Sequence, residues 1–425
     1  MSARCSRYIV MTLTVGLLMS AGHTAVPAVR AANAPDEVRG LWVLRSSLTS
    51  PQRIEELVRT AAAGGYNTLL VQVRGRGDAF YASAIDPRAT ELRTQPASFD
   101  PLAATLTAAH AAGLAVHAWF NVNLVASAST VPRVREHVVV RHPEWLMVPA
   151  ELATALGRLD PRTAGYVGQL ARWTRGQSDA VEGLYLSPIP AGAQDYTLAV
   201  ITDLMRSYAV DGLHLDYVRY PSADFDYSRA ALRDFRAVLV DAAPRAERER
   251  LDRLTAADPL AWTRMYPEAW DTFRRERLTT LVAKIRAVVR AERPAALVSS
   301  AVVPDPEVAR TLKLQDWAAW ARAGVLDVVC PMAYATTVDD FSAQMTATTA
   351  GAHGRPVWAG IGAWRLPVGR SVEHLAAARR AGAAGVLLFS YDSLLEAGSP
   401  RGSYFTQLRP SLIGARSAER ERQIP

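Results

Sequence analysis

The chain has 425 residues, 49% of them hydrophobic and 21% charged, with a formal net charge of +7 at pH 7. That length and apolar fraction suit one large core or two domains and exclude a low-complexity or intrinsically disordered chain. The basic balance favours anionic surfaces, but no dense Lys/Arg block stands beside aromatic residues, so nucleic acid is not an expected partner.

The chain opens with Arg4 and Arg7, followed by "IVMTLTVGLLMSAG", an apolar run too short to span a bilayer comfortably. Small residues ending in "VRAANA" come next. This order predicts a secretory signal peptide over residues 1–34, cleaved near Ala32 to Ala34, with an uncleaved membrane anchor as the alternative. The expected location is therefore secreted or periplasmic, in the cell envelope, with no stable membrane insertion after cleavage. Cys5 lies ahead of the apolar run, which leaves Cys330 as the only cysteine of the mature chain. Neither an internal disulfide nor a cysteine metal cluster is then expected.

Beyond the signal the pattern alternates. "VRGLWVLRSS" reads as a strand, and "SPQRIEELVRTAAAGG" as a helix capped by Ser50, with Pro51 at its first position and glycines at its end. "YNTLLVQVRG", the capped helix "FDPLAATLTAAHAAG" and the strand "LAVHAWFNVNL" follow. After a long connection come the helix "AQDYTLAVITDLMRSYAV" and the strand in "VDGLHLDYVRYP". The same scheme continues through "ALVSSAVVPD", "LDVVCPMAY", "PVWAGIGAW" and "AGVLLFSYDS", making eight strands. Strands alternating with helices predict a parallel sheet with crossover helices, and eight units fit an α/β fold of the (β/α)8 TIM-barrel type over residues 35–412. An open doubly wound sheet is the rival, weakened because no G-x-G-x-x-G follows the first strand. Long insertions after strands three and four fall on the barrel face that carries active sites. Residues 413–425 read as a polar, frayed tail.

Strand four poses the functional question. Leu213 and Leu215 face the helix layer, which turns His214 and Asp216 inward at the strand's carboxyl end. Gln72 and Arg74, with Asp78 just beyond, share a face of strand two, and His117, Trp119 and Asn121 share a face of strand three. Tyr334, Trp364 and Asp392 stand at the ends of strands six, seven and eight. Convergence of several such strands on one mouth predicts a site. Structural alternatives exist for each: Asp216 as partner of Arg219, Arg74 as an anchor for Asp78 or Asp216, the histidines and tryptophans as barrel filling, and Asp211 as a turn residue. Neither H-x-H nor H-E-x-x-H occurs among the eight histidines, so no metal and no cofactor is expected, and a metal-dependent hydrolase or deacetylase is a distant rival.

The blocks "RGLWVLRSS", "VQVRGRGDAFYAS", "HAWFNVNL", "HPEWL", "LYLSPIPAGAQDY", "VDGLHLDYVRYP", "LDVVCPMAY" and "GVLLFSYDS" occur in that order. Together they resemble the glycosyl hydrolase-like 10 family, bacterial envelope proteins with a (β/α)8 barrel, from about Val38 to about Leu395. The resemblance implies polysaccharide hydrolysis, with peptidoglycan glycan strands a target of some members. It also implies Asp216 as the acidic site residue, beside Arg74, Asp78, His214 and Arg219. The chain departs from the family pattern in "SAVVPDPE", which is more polar, and in "FSYDS", where glutamate is common.

Glycoside cleavage uses two carboxyl groups flanking the bond. A neighbouring arginine would keep Asp216 ionised. The second, protonated carboxyl is open among Asp305, Glu307, Asp392 and Asp78, with Asp305 and Asp392 the catalytic candidates carried forward. Trp119, Tyr334 and Trp364 offer flat faces for sugar rings, and Arg74, Asp78, His117, Asn121, His214 and Arg219 complete the expected substrate-binding set. The expected partner is a polysaccharide of the cell wall. A catalytically inactive glycan-binding barrel of the envelope is the alternative.

Overall fold

The computed structural model of the protein describes residues 37–396 and 403–414. The expected signal peptide, and the tail beyond residue 414, lie outside them. Eight parallel strands form a closed barrel: β1 Val38–Val43, β2 Thr68–Arg74, β3 Ala115–Asn121, β4 Gly212–Asp216, β5 Leu297–Val302, β6 Val328–Ala333, β7 Trp358–Ile361 and β8 Gly385–Leu388. They pair in chain order, and β8 closes on β1 through Val38↔Gly385 to Leu41↔Leu388. The alternation read from the sequence is thus a (β/α)8 barrel and not an open sheet.

Local chemistry sets the crossover helices. The first, Pro51–Ala63, begins where the Ser50 side chain accepts from the Arg53 N–H, and it buries Ile54, Leu57, Val58 and Ala61 on one stripe. The second, Pro101–Ala111, is capped by Asp100, which accepts from the Ala103 N–H. The chain then leaves it through Gly113 at φ +72°, a conformation that costs glycine little. The third and fourth crossovers use the long helices Ala191–Ser207 and Pro267–Glu292. Outward strand residues such as Leu213, Leu215, Phe120 and Val71 join these helices in the main core. Each fully buried aliphatic or aromatic side chain there contributes roughly 1.5–3 kcal/mol relative to exposure.

A second, smaller apolar cluster fills the barrel itself, built from Trp42, Leu70, Trp119, Val328, Cys330, Trp358 and Leu387. Such rings fit only beside missing side chains. A Cβ at Gly360 would lie 2.7 Å from the Trp42 ring, and one at Gly212 would lie 2.3 Å from His117 Nδ1. Asp211, just before it, accepts from the Val116 N–H at 2.7 Å, which is the structural role expected of a residue opening the strand.

The two long insertions build on the mouth of the barrel. After β3, the antiparallel pair Leu124–Ala126 and Leu184–Tyr185 organises a satellite core around Val138, Leu146, Leu156 and Leu170. After β4, helices Arg229–Leu239 and Arg245–Thr255 pack Phe235 and Leu251 against Trp262, Trp270 and Phe273. No described helix is long and apolar enough to cross a membrane.

Candidate active site

The carboxyl ends of the strands surround a cleft of about 450 Å³. Register explains which side chains reach it. Asn121 on β3 pairs with Asp216 on β4, and Trp119 pairs with His214, so the inward phase stacks two layers. His117 lies a layer lower, opposite Gly212, with its ring 5.3 Å from that of Trp358. Burial there pushes the His117 pKa down to about 4. It is barrel filling and does not line the cleft.

His214 occupies the layer directly beneath Asp216. The Trp42 indole Nε1, which can only donate, bonds to His214 Nε2 at 3.0 Å. That leaves the ring proton on Nδ1, which donates to Ser299 Oγ at 2.9 Å. Burial pushes the His214 pKa down to about 3, so the ring is neutral and fully engaged. It ties Trp42 on β1 to Ser299 on β5 and is not itself in the cleft lining.

Asp216 forms part of the cleft floor and is 7% exposed. Trp119 Nε1 donates to Oδ2 at 3.1 Å, and the backbone N–H of Tyr217 donates to Oδ1 at 2.6 Å. Tyr217 reaches that bond by adopting φ +49°, the left-handed region that costs a bulky residue strain. Desolvation dominates the carboxyl and raises its pKa from 3.8 to about 6, against the opposing pull of Arg219 and the two hydrogen bonds. This differs from the sequence reading, in which arginine keeps Asp216 ionised. Arg219 still pulls the pKa down, but burial outweighs it, and Arg219 gives its Nη2 to Glu182 Oε1 at 2.7 Å with its guanidinium 4.8 Å over the Tyr217 ring.

Around Asp216 the walls are aromatic. Trp42, Trp119, Tyr217, Tyr334 and Phe389 line the cleft. Trp364, 40% exposed, stands edge-on to Tyr334 at 4.9 Å and extends that wall outward. Asn121 also lines the cleft. Its Nδ2 donates to the Gly75 carbonyl at 2.8 Å, while its buried Oδ1 is without a hydrogen-bond partner.

Other expected site residues go elsewhere. Arg74 is turned out of the barrel by a bulge: Gln72 pairs with Trp119, but Arg74 pairs with Phe120, an outward residue. One inserted residue reverses the side-chain phase. Arg74 is fully buried, bonding Asp86 at 2.6 Å and the Asn121 carbonyl at 2.7 Å. It therefore anchors Asp86, not Asp78 or Asp216. Asp78 accepts from the Arg76 N–H at 2.9 Å and lies in a neighbouring depression.

Asp305 caps the helix Pro306–Leu312, accepting from Glu307 and Val308 N–H groups on the exposed surface. Glu307 pairs with Arg310. Asp392 receives the Leu44 N–H at 2.7 Å and the Ser46 and Ser47 hydroxyls at 2.8 and 2.6 Å, which ties the loop after β1 to the end of β8. None of these three carboxyls lines the cleft.

Among the described lining residues, only Asp216 and Glu91 carry carboxyl groups. Glu91, Arg45, Arg76 and Trp42 escape the sequence reading as site residues, whereas Gln72 lines the cleft from the strand-two face read for it. The inward phase of Gly40, Trp42 and Leu44 was the signal available for Trp42. Glu91 sits in a short loop helix, Thr90–Leu92, and carries no periodic signal. No group of three or more His, Cys, Asp or Glu that could hold a metal occurs among the described residues.

Fold and cleft together define a class: a (β/α)8 barrel with a buried carboxyl and an aromatic wall at the carboxyl ends of its strands, the face on which the active sites of such barrels lie. Known proteins narrow it. The glycosyl hydrolase-like 10 model matches residues 37–354, and the chain belongs to that family. It is 24% identical over 234 residues to glycosyl hydrolase YngK of Bacillus subtilis, covering 51% of this chain and 40% of that protein. To glycosyl hydrolase DigH of Escherichia coli K12 it is 28% identical over 166 residues, covering 36% and 30%. The matches thus span less than half the length of these relatives. In fold it is similar to the PgaB (BpsB) glycoside hydrolase domain from Bordetella bronchiseptica, with TM-score 0.61, 15% identity and coverage of 88% of this chain and 99% of that one. The beta-amylase catalytic domain from Paenibacillus polymyxa gives TM-score 0.57 and 14% identity over 89% and 98% of the two chains.

Proposed function

We propose that the protein is a glycoside hydrolase of the cell envelope in which Asp216 is the general acid. The observation that carries this reading is a single carboxyl at the floor of an aromatic cleft, with its pKa raised by burial to about 6. Near that pH Asp216 holds a proton it can pass to the glycosidic oxygen as the bond to the anomeric carbon breaks. Trp119 and the Tyr217 N–H fix the carboxyl and stabilise its anion after transfer. Glu91, the other carboxyl lining the cleft, is the candidate to take the proton of the attacking water. The sugar rings lie against Tyr334 and Trp364.

Peptidoglycan glycan strands are the proposed substrate, supported by the family and by the basic charge of the chain. Export by a cleaved signal peptide is proposed with it, from residues 1–34. The test is reducing-end release from purified sacculi, native and stripped of stem peptides, with other polysaccharides in parallel and across pH 4–9. Turnover should fall as pH rises through about 6, because the acid form is lost. Absence of turnover on every glycan, with binding retained, would instead support the inactive glycan-binding barrel.

A further inference from the structure

Arg45, Arg76 and Glu91 line the cleft and also a second depression, of about 860 Å³, walled by residues 127 and 129–134. Arg45, Arg76, Arg88, Arg133, Arg175 and Arg219 line the two together, against three carboxyls, Asp78, Glu91 and Asp216. Some of this charge is spent on the fold: Arg88 bonds the Phe99 and Pro96 carbonyls, and Arg175 the Ala128 carbonyl. Of the three arginines that line the cleft, Arg219 keeps one carboxylate, Glu182 at 2.7 Å, Arg45 reaches Glu91 only at 3.4 Å, and Arg76 has none among the described residues.

Arg45 meets Glu91 and Gln72 only at 3.4 Å. It lies across the mouth because residue 75 is glycine, where a Cβ would come 2.0 Å from Arg45 Nη1. The Arg76 guanidinium, exposed at the mouth, makes no hydrogen bond or ion pair among the described residues, and partial desolvation together with the Arg45 charge lowers its pKa. Arg219 is 7% exposed, yet its Nε and Nη1 are without partners. The buried Arg219 donors are costly to leave unmade, and the Arg45 and Arg76 charges repel each other. An anion bound there would relieve both costs.

We infer that the junction of Arg45, Arg76 and Arg219 is a subsite for a carboxylate carried by the saccharide, beside the bond that Asp216 serves. The planar guanidinium fork matches a carboxylate, and the aromatic wall opposite takes the sugar's apolar face. This rests on the glycoside hydrolase reading for its place in catalysis, but its test is binding alone. The carboxylate can be part of a uronic acid ring or hang from the ring on an ether side chain.

The experiment is calorimetric titration of the Asp216→Asn protein at low salt and pH 7. The probes are peptide-free cell-wall glycan oligosaccharides, the same oligosaccharides with every carboxyl methylamidated, and an oligogalacturonate of equal length. One carboxylate form should bind about tenfold or more tighter than the amidated form, and which one identifies the source. Arg76→Gln, an exposed change that breaks no contact, should erase most of that preference, and Arg76→Lys should restore part of it. Equal binding of charged and neutral forms, no binding of either carboxylate, or a preference untouched by Arg76→Gln would overturn the subsite. Wild-type turnover, measured separately, decides the hydrolase reading.

Discussion

At pH 8, replacing Asp216 by asparagine should lower activity and raise stability, and the structure sets the size of the second effect. Raising the pKa from 3.8 to about 6 corresponds to roughly 3 kcal/mol at about 1.36 kcal/mol per pH unit. The folded state holds this proton more tightly than the unfolded chain. The resulting stability is fully present below pH 3.8 and is lost as pH rises through about 6. At pH 8 the fold therefore carries a buried anion that asparagine would remove. The amide keeps one acceptor where the carboxylate offers two, so either Trp119 Nε1 or the Tyr217 N–H loses its partner, at about 1–2 kcal/mol. The balance is a gain of roughly 1–2 kcal/mol at pH 8, seen as a rise of about 1–3 °C in Tm. Near pH 3.5 the gain vanishes and the variant should be the less stable by about 1 kcal/mol. Turnover should fall by about 10²–10⁴, the usual worth of a general acid. Thermal scans at both pH values and reducing-end assays on one preparation give both readouts. Turnover like that of the wild type would remove Asp216 from the mechanism. A Tm several degrees lower at pH 8 would show that the ionised carboxylate is a structural partner.

Three further outcomes test the assignments around it. Arg74→Met should destabilise the fold by roughly 3–5 kcal/mol, because Asp86 is left as an uncompensated buried charge; urea denaturation would measure this, and adding Asp86→Leu should recover part of the loss. Asp305→Ala should cost about 1 kcal/mol through the lost helix cap and leave kcat unchanged, whereas a large fall in kcat would return it to the catalytic candidates. Asp392→Ala strands the Leu44 N–H and two serine hydroxyls, so it should cost roughly 2–4 kcal/mol and raise KM through the displaced loop, with the pH profile of kcat unmoved.

The repeating strands and helices were legible because they rest on local rules: a period of two in strands, a stripe on helices, serine, aspartate and proline at helix starts, and glycine at helix ends. The inward phase of Trp119, His214 and Asp216 follows from the same alternation, and all three stand inside the barrel as that phase requires. Tyr334 and Trp364 were legible from their places at the strand ends. Local phase fails where a single residue is inserted. The bulge at Val73 turns Arg74 into the helix layer, and nothing in "VQVRG" announces it.

The order of the elements, the closed parallel barrel and the inward face on which Asp216 stands could be read from the chain, because each follows from patterns among residues a few positions apart. Which partner each charge takes depends on residues brought together by the closed fold. Arg219 goes to Glu182, 37 residues away, Arg74 to Asp86, and Asp392 to a loop 345 residues earlier. The protonation of Asp216 was decided in the same way. Its pKa sums the desolvation by every wall of the cleft against a few hydrogen bonds, and that sum exists only once the distant strands have closed around it.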